Sequence, residues 1–352
     1  MMENNKHPYK TDISVLMLFF CRADHFAQVF AEVKKARPAR LFLYQDGPRN
    51  EKDMPGIEAC REICSDENID WECEVHRNYQ ERNYGCDPSG FMSHRWAFSL
   101  TDKCIVLEDD VVPSQAFFPF CKEMLDRYEN DERVTMVAGF NTDETTVISD
   151  SESDGNGGAS YFFTSVFSIW GWASWSRVVN NWDPEYKFLD DPKQVQYLED
   201  LVARRRYRSD FMQMCRDHKA AGKPFFESIF WSYMLLHNGL AVMPVRNMIN
   251  NVGLDGGTHF STSLQTTPRC LRRIFTMKRQ DIDFPLVHPK EVVEYMPYKD
   301  HFYKAWAWGH PWIKVGRSFE ELVLNLRYGN FGTIVKAVRN RIAKTLGRQK
   351  HG

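Results

Sequence analysis

The sequence has almost no net charge: 45 lysines and arginines stand against 47 aspartates and glutamates, a formal charge of −2. Binding that depends on neutralising phosphates needs a basic excess, so the balance argues against a dedicated nucleic-acid binder, and no nucleic acid is expected as a partner. Runs of membrane length are missing as well. Two longer uncharged stretches, 160–176 and 229–245, are interrupted by Gly171 among hydroxyl residues and by His237, Asn238, Gly239 and Pro244, so neither reads as a span. The polar start MMENNKHPYKTDIS leads only into the short apolar run Ile13 to Phe20, with no small-residue cleavage site behind it. No secretory signal is expected, and the expected location is cytoplasmic. A disulfide framework is absent too, because nine cysteines are an odd number and Cys21, Cys73, Cys104 and Cys121 sit in apolar segments. Cys60, Cys64 and Cys73 lack the second pair that would close a structural zinc site. There is no internal repeat.

What is present is a chain of 352 residues, 43% apolar and 26% charged, enough for one large core or two modest ones. Its first half alternates short apolar runs with helical stripes. Ile13 to Phe20 suits a strand buried on both faces, and Phe26, Val29, Phe30 and Val33 follow at helical spacing. Arg40 to Gln45 reads as a second strand ending in the turn Asp46-Gly47-Pro48, and Ile57, Cys60, Ile63 and Cys64 as a second helix. Trp71 to Val75 is a third strand candidate. A helix over Phe91 to Leu100 precedes the strand Cys104 to Leu107, and a helix over 114–129 precedes the strand Val134 to Ala138. Repeated units of this kind specify an α/β fold with a mostly parallel sheet flanked by helices. The acidic, serine- and glycine-rich stretch 143–160 reads as a mobile loop.

Ligands of such sheets bind at the carboxyl ends of the strands, which here carry Cys21-Arg22-Ala23-Asp24, Gln45-Asp46-Gly47 and Glu108-Asp109-Asp110. Three successive acids after a buried strand are costly, since like charges about 4 Å apart repel by roughly 1 kcal/mol even in water. A hard cation such as magnesium or manganese (Mg2+ or Mn2+), completed by waters and substrate phosphates, would relieve that cost. The alternative is a solvated acidic turn that favours the dipole of the following helix. Eight aromatic residues between Tyr161 and Trp182 read either as core or as the walls of a pocket. At the end of the chain, Phe331, Ile334, Val335, Val338, Ile342 and Leu346 recur at helical spacing among basic residues. This basic amphipathic helix over 331–352 reads either as packed on the domain or as a peripheral contact with the inner face of a membrane.

VLEDDVVPSQAFFPF resembles the metal-binding segment of GT-A glycosyltransferases, where a hydrophobic strand ends in a D-x-D-like motif. SVLMLFFCRADH is similar to the first strand and nucleotide-contacting turn of that fold, LFLYQDGPR to its second strand, and RNYGCDPSG to the segment before the motif. The nearest resemblance is to bacterial glycosyltransferases related to the N-acetylglucosaminyltransferase I group. FFTSVFSIWGWASWSRVVNNWD resembles that group's W-G-W-A-T-W block, and NGLAVMPVRNMINNVGLDGGTH its N-G-L segment ending in histidine. The resemblance covers about residues 12 to 262. It implies a Rossmann-like GT-A domain over 1–262, with a nucleotide-sugar half at about 12–140 and an acceptor half at about 160–262, followed by a helical, basic extension over 263–352.

The same resemblance implies Asp110 as direct metal ligand, with Asp109 and Glu108 on the ribose or donor sugar. Arg22 and Asp46 would contact the nucleotide and His94 would lie near the diphosphate, while His259 would add a second metal or phosphate contact. Trp170, Trp172 and Trp175 would bound the donor and acceptor pocket. For the catalytic base the family has an aspartate in a W-D-Y-like segment; this chain departs from it with Glu227 in PFFESIFW and a shifted Trp231. Phe225, Phe226 and Phe230 would desolvate that carboxylate and raise its pKa. Asp183, in WDPE, is the reserve. The implied activity is metal-dependent, inverting transfer from a nucleotide sugar, a UDP-sugar, to a hydroxyl of a glycan or lipid-linked acceptor in surface polysaccharide synthesis. A sugar-1-phosphate nucleotidylyltransferase is the enzyme alternative, but it needs a glycine-rich basic loop where this chain has CRADHF. A non-catalytic carbohydrate-binding protein is the other.

Overall fold

The apolar run after residue 10 forms β1 (Thr11–Phe19), and the sheet is assembled outward from it. In this computed structural model residues 6–148, 158–202, 205–254, 263–335 and 339 are described. The remaining strands are β2 (Pro38–Gln45), β3 (Glu74–Tyr79), β4 (Lys103–Glu108), β5 (Val111–Pro113), β6 (Val134–Ala138), β7 (Tyr161–Thr164), β8 (Trp172–Trp175), β9 (Leu240–Pro244) and β10 (Ile249–Asn251). Eight of them form one sheet in the order β3-β2-β1-β4-β8-β6-β9-β7, and β5 pairs with β10 apart from it. β1 to β4 are mutually parallel. β8 enters antiparallel between β4 and β6, β6 and β9 run parallel, and β7 is antiparallel at the edge. The α/β class with a mostly parallel, helix-flanked sheet is therefore as the periodicity predicts.

Two boundaries differ from the pattern for identifiable reasons. The third strand lies at Glu74–Tyr79 rather than at Trp71 to Val75. Trp71 is instead a fully buried wedge whose indole donates to the Pro38 carbonyl at 2.9 Å, while EVHRNY is too polar to show as an apolar run. The helix expected from Phe91 begins at Cys86. Pro88 and Gly90 make that start look like a turn, but proline in the first helical turn loses an N–H that has no intrahelical acceptor anyway. Gly90 is required there because a Cβ would lie 2.6 Å from the Phe226 ring, so the absent side chain is what lets the helices Cys86–Phe98 and Phe226–Leu236 touch.

Most of the aromatic-rich stretch is core: Tyr161, Trp172 and Trp175 are buried, and the Trp175 indole donates to the Leu125 carbonyl. Residues beyond 262 add to this core. The Tyr295 amide donates to the Phe163 carbonyl at 2.8 Å and the Thr142 amide to the hydroxyl of buried Tyr298 at 3.1 Å. All nine cysteines are free thiols. Among the described residues no helix is long and apolar enough to cross a membrane. Residues 149–157 of the expected loop, and 336–338 and 340–352 of the expected basic helix, lie outside the described residues.

Gly171 joins the aromatic block to the sheet at φ +67°, where a Cβ would sit 2.4 Å from Ile249 Cδ1. Its carbonyl accepts from the Gly139 amide at 2.8 Å. Gly171→Ala combines a left-handed backbone with overpacking and is expected to destabilise the fold by about 2 to 4 kcal/mol. A lowered urea midpoint with an unchanged slope checks this; an unchanged midpoint refutes it.

Candidate functional site

Parallel pairing brings the carboxyl ends of β1, β2 and β4 level: Leu18 is the register partner of both Tyr44 and Glu108. The three polar turns predicted to converge therefore do, around a cleft of about 340 Å³ lined by Arg22, Tyr44, Asp46, Asn83, Glu108 and Asp109 among others. A wider hollow of about 460 Å³ opens where β1 and β4 begin. Its charges already satisfy one another, with Lys103 paired to Asp126 and Glu129, so it offers no comparable chemistry.

The acidic turn dominates the cleft. Burial, then the charge of Asp110, then that of Glu227 push the Glu108 carboxyl well above its ordinary range. Burial raises Asp109 as well, against the opposing pull of Arg22. Arg22 follows β1 directly and grips both acids, pairing with Asp109 and placing Nη2 2.7 Å from Asp110 Oδ2. Burial works against the guanidinium charge, but the Asp109 and Asp110 carboxylates outweigh it and raise its pKa further. On the other side, Val252 donates its amide to the Asp110 carbonyl at 2.9 Å. Gly253 is there because a Cβ would stand 1.9 Å from Asp110 Oδ2. Asp110 Oδ1 is buried and has no hydrogen-bond partner.

That orphaned oxygen is an unfilled acceptor at the acidic turn, although Asp110 itself is not among the residues lining the cleft. Among the described residues no three histidine, cysteine, aspartate or glutamate side chains form a metal cage. The donor set suits instead an ion that takes one or two carboxylates and draws its other ligands from water and phosphate. His259 lies outside the described residues.

Asp46 reaches the cleft, but its carboxylate is spent on the backbone. Oδ1 accepts from the amides of Gly47 and Tyr84 at 2.9 Å, and Oδ2 from Asn83 Nδ2 at 2.9 Å and the Gly85 amide at 3.0 Å. It holds the 83–85 segment against the cleft rather than presenting free lone pairs to a ligand. The Tyr44 and Ser89 hydroxyls, both buried, face one another across the same cleft, with no hydrogen-bond partner beyond each other. Sequence reasoning missed them. Tyr44 is hidden in the apolar alternation of β2, and Ser89 in a stretch that reads as a turn.

Several expectations are corrected. Glu227 is not desolvated by its phenylalanines: it is exposed on the first turn of Phe226–Leu236, while Phe226 and Phe230, one turn apart, face the core. It nevertheless comes near the acids, since its charge helps to raise both Glu108 and the Cys86 thiol. Asp183 stays out of the cleft lining and caps its own turn, accepting from the amides of Glu185, at 3.0 Å, and Lys187. Trp172 and Trp175 are core side chains and cannot wall a pocket. Trp170 is half-buried, edge-on to Phe140 with centroids 4.9 Å apart. His94 is boxed by Trp172, Trp182 and Phe226, at centroid distances of 5.1, 5.8 and 4.8 Å, and does not line the cleft.

No protein-family model matches the chain, and no curated protein matches it in sequence. Among solved structures it is similar to mouse xyloside xylosyltransferase 1 in its apo form, at 12% identity and a TM-score of 0.33 over 63% of this chain and 81% of that one. A putative glucose-1-phosphate thymidylyltransferase from Bacillus anthracis matches at 10% identity and a TM-score of 0.28, over 48% of this chain and 73% of the other. The glycosyltransferase GlyE of Streptococcus pneumoniae matches at 10% and 0.27, over 55% and 39%. Likenesses this loose assign no activity.

Burial alone depresses the His94 pKa to about 3. A base depressed from an unfolded value near 6.5 contributes stability above that pH and loses it as pH falls toward the folded value. The wild type is therefore expected to lose about 2 kcal/mol between pH 6.5 and 4.5 from this residue. His94→Leu is expected to flatten that part of the profile; equal slopes in urea titrations of the two proteins would contradict the assignment.

Proposed function

We propose that this chain is a metal-dependent, inverting glycosyltransferase of GT-A architecture, transferring a sugar from a nucleotide-sugar donor to a hydroxyl of a glycan or lipid-linked acceptor. The observation that carries the reading is the buried, unpartnered Asp110 Oδ1 in an acidic turn gripped by Arg22, at the carboxyl ends of three parallel strands. A bound Mn2+ or Mg2+, held by Asp110 and Asp109, would offset the charge of a departing nucleoside diphosphate. Arg22, released from the acids, supplies a second positive group to that diphosphate. Tyr44 and Ser89 offer hydroxyl groups to the nucleoside end of a UDP-sugar, while Asp46 holds the Asn83 segment that walls it. Glu108, whose carboxyl burial pushes well above its ordinary range, lines the cleft and would contact a sugar or ribose hydroxyl.

Glu227 acts as base. It takes the acceptor hydroxyl proton as the oxygen attacks the anomeric carbon from the face opposite the leaving diphosphate, so the configuration inverts. Trp170, half-buried, is the member of the tryptophan trio with surface left to cover a sugar face. The nucleotidylyltransferase alternative is disfavoured by the first turn: the helix Ala23–Ala36 begins soon after β1, leaving no room for a glycine-rich phosphate loop.

Thermal unfolding against a panel of nucleotides and nucleotide sugars, with and without manganese, tests the reading. One nucleoside diphosphate class is expected to stabilise the protein only with manganese, by about 2.7 kcal/mol at a hundred times its dissociation constant, and Asp110→Asn should abolish the effect. Glu227→Gln is expected to keep that shift and lose transfer by roughly 10²- to 10⁴-fold. Stabilisation by glycans alone, indifferent to metal and to Asp110→Asn, would mark a carbohydrate-binding protein instead.

A further inference from the structure

An amphipathic helix packed on a globular core turns its apolar side inward. The helix Pro311–Arg327 does the reverse. Trp312, Val315, Phe319, Leu322, Val323 and Leu326 are all exposed, Trp312 at 82% and Phe319 at 67%. At the helical rotation of about 100° per residue, these six fall within one arc roughly 100° wide. The opposite side meets the protein largely through polar groups. Arg317 donates to the Ala305 carbonyl and to Cys270 Sγ, Glu320 accepts from the Arg269 amide at 2.9 Å, and Lys314 pairs with Asp210 at 3.0 Å. Phe331 and Val335, past the Gly329 turn, are exposed as well.

Charge accompanies the stripe. Beside it opens a hollow of about 700 Å³ lined by Arg269, Arg272 and Arg273 of the helix Arg269–Thr276 and by Glu320. Among the described residues from 269 onward, 12 lysines and arginines stand against 7 acids, a net of +5 in a chain whose total is −2. The arginine helix and the helix that carries the apolar arc are thus neighbours, joined at Arg269 and Glu320.

We propose that the outward face of Pro311–Arg327, with the arginine helix beside it, docks onto an anionic lipid bilayer. Such a surface satisfies both features: the apolar arc sinks about 5 to 10 Å into the headgroup boundary, and each nearby arginine or lysine gains attraction to anionic lipid. A second copy satisfies one of them. A twofold pair would set two basic faces against each other, and like-charge juxtaposition opposes that contact. The face is tied to the cleft, because Arg279 donates to the Pro113 carbonyl at 2.7 Å and Asn250 to the Met277 carbonyl, anchoring the end of the arginine helix to the β5–β10 pair that follows Asp110. The proposal does not depend on the transferase reading, since a sugar-binding protein with this face would dock equally.

Sedimentation of the full chain with vesicles of phosphatidylcholine alone, and of phosphatidylcholine with phosphatidylserine, tests it. Partition is expected to be at least about tenfold stronger onto the anionic vesicles and to weaken at high salt. A blue shift in tryptophan emission on binding should shrink in Trp312→Phe. Phe319→Glu with Leu322→Glu, at exposed positions, should keep the thermal midpoint and lose partition at least tenfold; Arg269→Glu with Arg273→Glu should remove the salt-dependent part. Equal partition onto both vesicle types, no partition, or a solution dimer by light scattering that dissociates in Phe319→Glu would overturn the proposal, the last by identifying a copy interface. Nucleotide binding measured without vesicles keeps this outcome separate from that of the transferase reading.

Discussion

Three acids in sequence at the end of a buried strand are an electrostatic constraint that the rest of the cleft is arranged to meet. Burial and mutual repulsion push Glu108 and Asp109 toward the neutral form. Relief comes from Arg22, and Arg22 can provide it because parallel register sets the end of β1 beside the end of β4. Gly253 leaves the volume that the Asp110 carboxylate fills. The compensation is incomplete, leaving one oxygen of Asp110 buried without a partner, and incomplete satisfaction of this kind points to a ligand more strongly than an acidic tripeptide does.

Around that turn, carboxylates of similar appearance divide into two kinds. Asp46 and Asp183 are consumed by backbone amides, so each fixes a turn and has little capacity left for a ligand. Glu227 stands on an exposed helical turn yet is close enough to the acids to alter them. What separates the two kinds is the number of donors already within reach, a property set by chain geometry.

The near-zero net charge conceals a segregation. A chain that balances overall concentrates its basic residues beyond 269, where an apolar helical arc also faces outward, and places its buried acids in the cleft. A helix held inward by Arg317, Glu320 and Lys314 and outward-facing through Trp312 and Phe319 inverts the usual burial of amphipathic segments. Hydrophobic burial on folding does not explain that orientation; the proposed contact with a bilayer would.

The sequence alone determined the strand-helix alternation, the parallel core of the sheet, and the meeting of Arg22, Asp46 and Glu108 to Asp110 at one edge. Those follow from apolar periodicity and from where the polar turns interrupt it, both local properties of the chain. Only the tertiary structure decided which polar groups remained free. Asp46 turned out saturated, His94 and Trp172 enclosed, and the Tyr44 and Ser89 hydroxyls paired only with each other in the cleft, because each outcome depends on neighbours distant in sequence. The outward face of Pro311–Arg327 was likewise settled by the tertiary fold, since periodicity gives a helix its apolar side and packing alone fixes the direction in which that side points.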